Sequence, residues 1–531
     1  MSYVCNDSMK RVRRINYKLL LLLTVITFCP ALFLAIGPQE ENDYFQLSLL
    51  KPDISNTTCL FILQDEPDED RLIKREEFIE GHFEFALLNL EAFRNALNEF
   101  LTARESNRSF LDYSVVDDTI SGRLQVSLMA GADYQSDLEE HYIHLYRGVQ
   151  LKGNIFNRIA FWGEWWAGRF QGDLDYAEAN SPLIKGFFKT HENPETTYTN
   201  LNKIYGRISY LFDFGNVSIG RGTHLIGDNI GGSTILNDAV NDYGYFSSEI
   251  NFGKLTLSFL HATLIPDVIE PIEDYDYQDK YLAFHQINYR VLPQLDIYFG
   301  EQVIYANRGV DPSYFLPHLF YRVTEHNLRD RDNVQIYAGA RWTYRDFATL
   351  YGNLIIGELR KKEIFSDWWG NKYALQGGTS LLFAEGLLNR QNKAVRTTLE
   401  FTAVRPWMYT HKTMATPFSH DGIGLGFPEG SNLIQAAGEV VIPIIPSLTL
   451  NQFLTFTRQG SVGNSFSINY NDRPSNTAKW LEGDISDRWL SRSMFSWSIL
   501  AHHRLRAGLE FTRYANESWR KSLVFGYQAR Y

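Results

Sequence analysis

The chain has 531 residues, 44% of them hydrophobic and 15% aromatic, with 62 acidic against 51 basic residues and a formal charge of −11. That acidic balance argues against general nucleic-acid binding, which needs a basic face to meet phosphates. A mean hydropathy of −0.26 excludes a bundle of membrane helices, because one stretch alone is apolar enough to cross as a helix.

That stretch lies at the start. Met9 to Lys18 is basic and Leu19 to Ala35 is an apolar run with one proline, the pattern of a secretory signal peptide over residues 1–36. Met9 is the better initiator, and cleavage is expected between Ala35 and Gly37. The three cysteines, Cys5, Cys29 and Cys59, leave no thiol for a disulfide framework or a cysteine-ligated metal further along.

Residues 37–121 read as an acidic irregular segment followed by a helix. Asp65 to Asp70 is a solvated charge run. Phe83, Leu87, Leu90, Leu97 and Leu101 recur at helical spacing, which predicts one amphipathic, periplasmic helix.

From Gly122 to Tyr531 the apolar period changes to two. Leu124, Val126, Leu128, Ala130 and Ala132 begin the series. Ile336, Ala338, Ala340, Trp342 and Tyr344 oppose Gln335, Gly339, Arg341, Thr343 and Arg345. Val395, Thr397, Leu399, Phe401 and Ala403 oppose Arg396, Thr398, Glu400 and Thr402. Leu505, Ala507, Leu509 and Phe511 oppose Arg506, Gly508, Glu510 and Thr512. In a transmembrane β-barrel the apolar face meets lipid and the polar face lines the lumen. The last strand, Ser522 to Tyr531, alternates in the same way and ends on an aromatic, like the strand by which outer-membrane barrels are recognised by the barrel-insertion machinery and closed. The fold class expected is all-β, an antiparallel transmembrane barrel over 122–531. At about 22–24 residues per strand, its length gives roughly 16–18 strands.

Several constellations carry chemistry. Trp407, Tyr409, His411, His420 and Asp421 surround a Gly-rich loop and offer ring faces and polar rims for a sugar; an aromatic girdle or loop packing is the competing reading. Arg322, Arg329 and Arg331 could meet an acidic polysaccharide, inside a cluster with Glu325, His326, Asp330 and Asp332 that otherwise neutralises itself. That cluster lacks the glycine and closing glutamate of a calcium loop, so no metal is expected. Gly220 to Gly232 matches neither phosphate-binding fingerprint and reads as bends of a barrel, with Arg221 and Asp228 as lumen ion-pair candidates. Arg341, Arg345, Arg396, Arg504 and Arg506, with Glu400, Glu439 and Glu510, would give a lumen of mixed sign, which suits a plugged or cross-braced interior better than an anion channel. Ser419 and His420 are adjacent, so on a strand they point apart, and no Gly-x-Ser-x-Gly elbow is present; no catalysis and no cofactor are expected.

Three stretches together resemble the capsule assembly protein Wzi family: Val217 to Leu236 with the strand Lys254 to His261; Glu301 to Tyr305 leading to Pro317–His326 and Asp330–Asn333; and Tyr409–His411 with His420–Gly430. The resemblance implies an outer-membrane barrel with a helical periplasmic portion that attaches or organises capsular polysaccharide. It implies no binding residue, because no family motif for one carries over. The long acidic segment before the helix departs from the family pattern. Read with the residues, the resemblance leads to an exported outer-membrane protein, in contact with lipid, that holds surface polysaccharide without catalysis. The alternative is a porin or solute-uptake channel.

Overall fold

The computed structural model describes residues 110–531 apart from 117–120, 182–197, 268–278, 384–394, 501–502 and positions 138, 157, 346, 365, 446 and 516. The signal peptide, the acidic run and the helix expected at Phe83–Leu101 lie outside the described residues.

The strands in chain order are β1 (Leu111–Val116), β2 (Ser121–Ser136), β3 (His141–Ile155), β4 (Ile159–Gly172), β5 (Tyr198–Phe212), β6 (Gly215–Gly222) and β7 (Tyr243–Phe252). There follow β8 (Leu255–Leu264), β9 (Lys280–Leu292), β10 (Leu295–Ala306), β11 (Asn333–Tyr344), β12 (Ala348–Glu358), β13 (Lys372–Phe383) and β14 (Val395–Val404). The last are the two-residue β15 (Ser419–His420) and β16 (Ile423–Gly424), then β17 (Leu433–Ile445), β18 (Leu448–Gly460), β19 (Ile485–Leu500), β20 (His503–Tyr514) and β21 (Arg520–Arg530).

Each long strand from β2 onward pairs antiparallel with its neighbours in sequence, and β21 returns to β2, which closes an eighteen-stranded barrel. The count lies at the top of the expected range. At the seam Leu128 and Tyr531 exchange backbone hydrogen bonds of 2.6 and 2.8 Å. Below that point β2 pairs with β1 instead, from Val126 to Ser121. Among the described residues, strand structure therefore begins at Leu111, inside the segment read from sequence as irregular and helical.

The alternation built the wall as expected. Leu399, Phe401, Trp342 and Leu509 are exposed on the outside, while Thr398, Glu400, Thr402 and Gln335 are buried on the inside. Ile204, Ile208, Trp165 and Trp489 extend the outer apolar belt. An exposed belt of this kind requires a hydrocarbon solvent. Two or three residues join most strand pairs at one end, for example between Phe212 and Gly215 or Phe252 and Leu255, while eleven lie between β13 and β14. Long connections gather at the other. That asymmetry matches short periplasmic turns and long outer loops.

Inside, tyrosines lie across glycines of the next strand: Tyr146 over Gly131, Tyr337 over Gly300, Tyr298 over Gly339 and Tyr351 over Gly378. Any Cβ at those glycines would overlap the ring. Gly339→Val should cost about 1–3 kcal/mol through overpacking, seen as a lower unfolding temperature in detergent with the closed barrel retained.

Candidate functional site: a filled lumen and its loop crown

The connection between β6 and β7, residues 223–242, turns into the barrel. Its centre, Ser233 to Asn237, is wholly buried. The lumen wall holds it by side chains that the two-residue period aims inward. Glu400 accepts from the N–H groups of Ile230 (3.1 Å) and Gly231 (3.0 Å) and from the Tyr351 hydroxyl (2.7 Å). Asn353 accepts from the Thr234 hydroxyl at 2.9 Å, Gln376 donates to the Gly232 carbonyl at 2.6 Å, and Gln302 donates to the Ile235 carbonyl at 2.8 Å. A loop enclosed this way needs such partners, because each buried backbone group left unpaired carries a desolvation penalty.

A second connection, residues 405–432 between β14 and β17, packs on the first. The Tyr409 hydroxyl donates to the Thr234 carbonyl at 2.9 Å, and the Asn237 N–H donates to the Leu425 carbonyl at 2.8 Å. Ile235, Leu236, Met408, Tyr409, Phe418, Leu425 and Phe427 join wall residues Leu260, Phe284, Tyr337 and Val404 in one apolar core. The two loops thus pack against the inner face of β8 to β14.

The loop aromatics singled out from sequence sit in this packing. Trp407 lies at φ +66°, left-handed backbone for a bulky residue, and is enclosed by Trp369, Ala478 and Gly463. Tyr409 and His420 are buried, and His420 Nδ1 accepts from the Ile265 N–H at 3.0 Å. These three rings present no open face for a sugar. His411 and Asp421 are half-buried; Asp421 accepts from Asn241 at 2.7 Å, and His411 shares a hydrogen with Thr416 at 2.5 Å. Ser419 does not meet its neighbour His420. It donates to Asp267 at 2.5 Å and lies 3.1 Å from the Lys280 ammonium, which is itself 3.0 Å from Asp267. This buried knot fastens the second loop to β9.

Of the lumen charges, Arg341 pairs with Asp228 of the inward loop at 2.7 Å, Arg396 with Glu439 at 3.5 Å, Arg506 with Asp133 at 2.7 Å, and Glu510 with Arg492 at 2.7 Å. Arg504 shares a strand face with Arg506. Arg345 does not line the lumen. It stands in the turn after β11 at φ +47°, exposed, with its guanidinium 5.5 Å from the Tyr344 ring. The alternation was carried one residue past the strand end, into a hairpin position that needs left-handed backbone. The Gly-rich stretch Gly220 to Gly232 likewise serves mainly as the entry of the inward loop, not as bends of the wall.

Arg329 and Arg331 are exposed, and Arg322 is partly so, in the connection between β10 and β11. That connection carries a short helix, Tyr321–Asn327. On it Glu325 is buried beside Arg322 at 2.8 Å. Glu325, His326 and Asp330 are grouped closely enough to hold a cation. The Arg322 guanidinium already faces the Glu325 carboxylate, which disfavours one. Burial outweighs the pull of Arg322 and pushes the Glu325 carboxyl up to about 7. A folded value above the ordinary one means the protonated form favours the folded helix. Its stability is fully present below the ordinary carboxylate range and is lost as pH rises through about 7. Amide-exchange protection across residues 321–328 should therefore fall between about pH 5 and pH 8, and Glu325→Gln should flatten that dependence.

Sequence reasoning missed a cluster at the crown built from residues 359–373 and 461–484. Arg360 lies 4.2 Å from the Trp368 ring, Arg473 4.1 Å from Trp369, Lys372 4.0 Å from Tyr470, and Arg405 5.4 Å from Trp480. The Trp368–Trp369 pair was the available signal.

No protein-family model matches the chain, and no curated protein matches it by sequence. Among solved structures the chain is similar to Wzi of Escherichia coli, at a TM-score of 0.50 and 13% identity over 82% of this chain and 88% of that one. That protein is described as a carbohydrate-binding β-barrel of the outer membrane involved in group 1 capsule assembly. OprD of Pseudomonas aeruginosa is matched at a TM-score of 0.44 and 8% identity, over 79% of this chain and 97% of that one. The resemblance to the Wzi barrel first seen in short motifs thus holds at the level of the fold.

Proposed function

We propose that this chain is an exported outer-membrane protein that assembles or anchors surface polysaccharide by non-catalytic binding of glycan at its loop crown. The observation that carries this reading is the pairing of a filled lumen with a crown rich in aromatic and cationic side chains. Two loops packed into the lumen leave the loop end as the working surface. Exposed Arg329 and Arg331, with Arg322, offer planar donors to the carboxylates of an acidic glycan. His411 and Asp421 at the edge of the second loop, and Trp480 with Tyr470 across the crown, offer polar and aromatic contacts. Likeness in fold to a carbohydrate-binding barrel supports the same direction.

The test is binding of purified host surface polysaccharide to the detergent-solubilised barrel. The double variant Arg329→Gln/Arg331→Gln and the single variant Trp480→Ala should each weaken binding about tenfold, the scale of one charge-assisted or aromatic contact. Equal affinity in wild type and both variants would remove the crown from the site.

The second reading is a solute channel. Eighteen strands enclose room for an aqueous pore, and the loop packing of the lumen is the observation against it.

A further inference from the structure

The outer wall of the barrel has a polar stretch on β8 to β10 that is covered from outside. On β8, β9 and β10 the residues aimed outward include His261, His285 and Glu301; their partners in register, Phe246, Phe259 and Ile336, share that face. Yet Glu301 is 1% exposed and Tyr305 beside it 0%. The connection between β10 and β11, residues 307–332, covers them from outside. Phe315 stacks on His261 at 4.3 Å and meets Phe259 at 5.7 Å. Tyr321 lies over His285 at 4.1 Å, and its N–H donates to Glu301 at 2.5 Å. His285 and Glu301 are 3.3 Å apart, and His261 is 2.7 Å from the Tyr305 hydroxyl. Glu301 is five residues below Ala306, the end of β10, so the connection descends roughly 15 Å along the outside wall.

What the connection then turns outward is apolar: Phe315 (36% exposed), Leu316 (43%), Leu319 (37%), Phe320 (60%) and Val323 (58%). Its depth matches the lipid belt. Elsewhere on the wall, outward apolar side chains are exposed to within three residues of the loop-side strand ends, at Leu375, Phe401 and Leu523. Directly below the covered patch, Ile287, Tyr289, Ile297 and Phe299 continue the belt on the same two strands.

We propose that residues 310–323 form a flap seated in the outer leaflet, in which Phe315, Leu316, Leu319, Phe320 and Val323 contact lipid acyl chains in place of the polar wall beneath. The flap covers a patch of wall that carries two imidazoles and a carboxylate, groups that are costly to leave bare in hydrocarbon. Lipid is the occupant because the patch is continuous with the belt that already requires it. This inference does not rest on the glycan reading, which shares with the flap Arg322 alone.

The test uses the full chain with Cys5, Cys29 and Cys59 replaced by serine and one new cysteine, Phe320→Cys or Val323→Cys, carrying a bimane label. The protein is reconstituted in phosphatidylcholine vesicles with or without nitroxide on the acyl chains, with Ile297→Cys as the belt control and Asn476→Cys as the crown control. Acyl-chain nitroxide should quench both flap positions within about twofold of Ile297→Cys, and aqueous iodide should leave them largely unquenched. Iodide quenching equal to that at Asn476→Cys would overturn the proposal by placing the flap in water. Protection from both quenchers would overturn it too, by placing a second copy of the chain or another protein over the flap. Two label sites keep the result readable if one variant assembles poorly.

Discussion

Replacing Ile226 to Asn237 by a short Gly-Ser linker should turn a barrel that is silent in planar bilayers into one with a large, ohmic conductance. The wall in that region does not depend on the inward loop for its strand ladder, since β10 to β14 and β17 pair with one another continuously. The loop supplies the core between them. Without it, Glu400, Asn353, Gln376 and Gln302 lose their partners and face a cavity. Polar side chains in such a cavity are satisfied by water, so the space hydrates instead of collapsing. The second loop loses its Tyr409 and Asn237 contacts at the same time and loosens. Glu400→Ala should give a weaker version, with brief openings, because it orphans two backbone N–H groups while leaving the chain in place. Unchanged silence after removal of the loop would mean that the second loop and the opposite wall seal the barrel on their own.

Removing Arg520 to Tyr531 should abolish the folded state. Strand β21 pairs with β2 at eight positions and with β20 at ten. Its loss opens two edges in hydrocarbon, where each unsatisfied backbone group costs several kcal/mol. The combined cost exceeds the whole stability of a typical domain. Strand β1 cannot substitute, since it occupies β2 only from Ser121 to Val126. The expected readout is the absence of a compact, heat-modifiable band on electrophoresis and accumulation of aggregated chain. A compact band of normal yield would mean that the barrel closes β20 directly on β2.

The wall was legible in the sequence because lipid imposes a rule on every second residue. Leu399 and Phe401 against Thr398 and Glu400 are enough to aim a strand. The interior was not legible, because Thr234 and Asn237 are ordinary loop residues whose meaning lies in partners more than a hundred positions away, such as Asn353 and Gln376 for Thr234 and Gly424 for Asn237. The same non-locality misdirected attention to Trp407, Tyr409 and His420. Rings in a Gly-rich loop look available for a ligand until a second loop is found packed against them. Arg345 shows the limit of period counting at a strand end. The outer flap did leave a trace. His261 falls on the same face as Leu257 and Phe259, and Glu301 on the same face as Ile297 and Phe299, each a polar break in a lipid-facing row. Here the break marks a covered patch, although the sequence does not say which loop covers it.

The most direct measurement of the account is a clean deletion of the gene in its native host, with polysaccharide on cells assayed against polysaccharide shed into the medium. Total polymer is expected to stay constant and to shift from cells to medium, with retention restored by wild type and not by the Arg329→Gln/Arg331→Gln variant. Unchanged retention on cells would contradict it and leave the eighteen-stranded barrel with a task other than holding glycan.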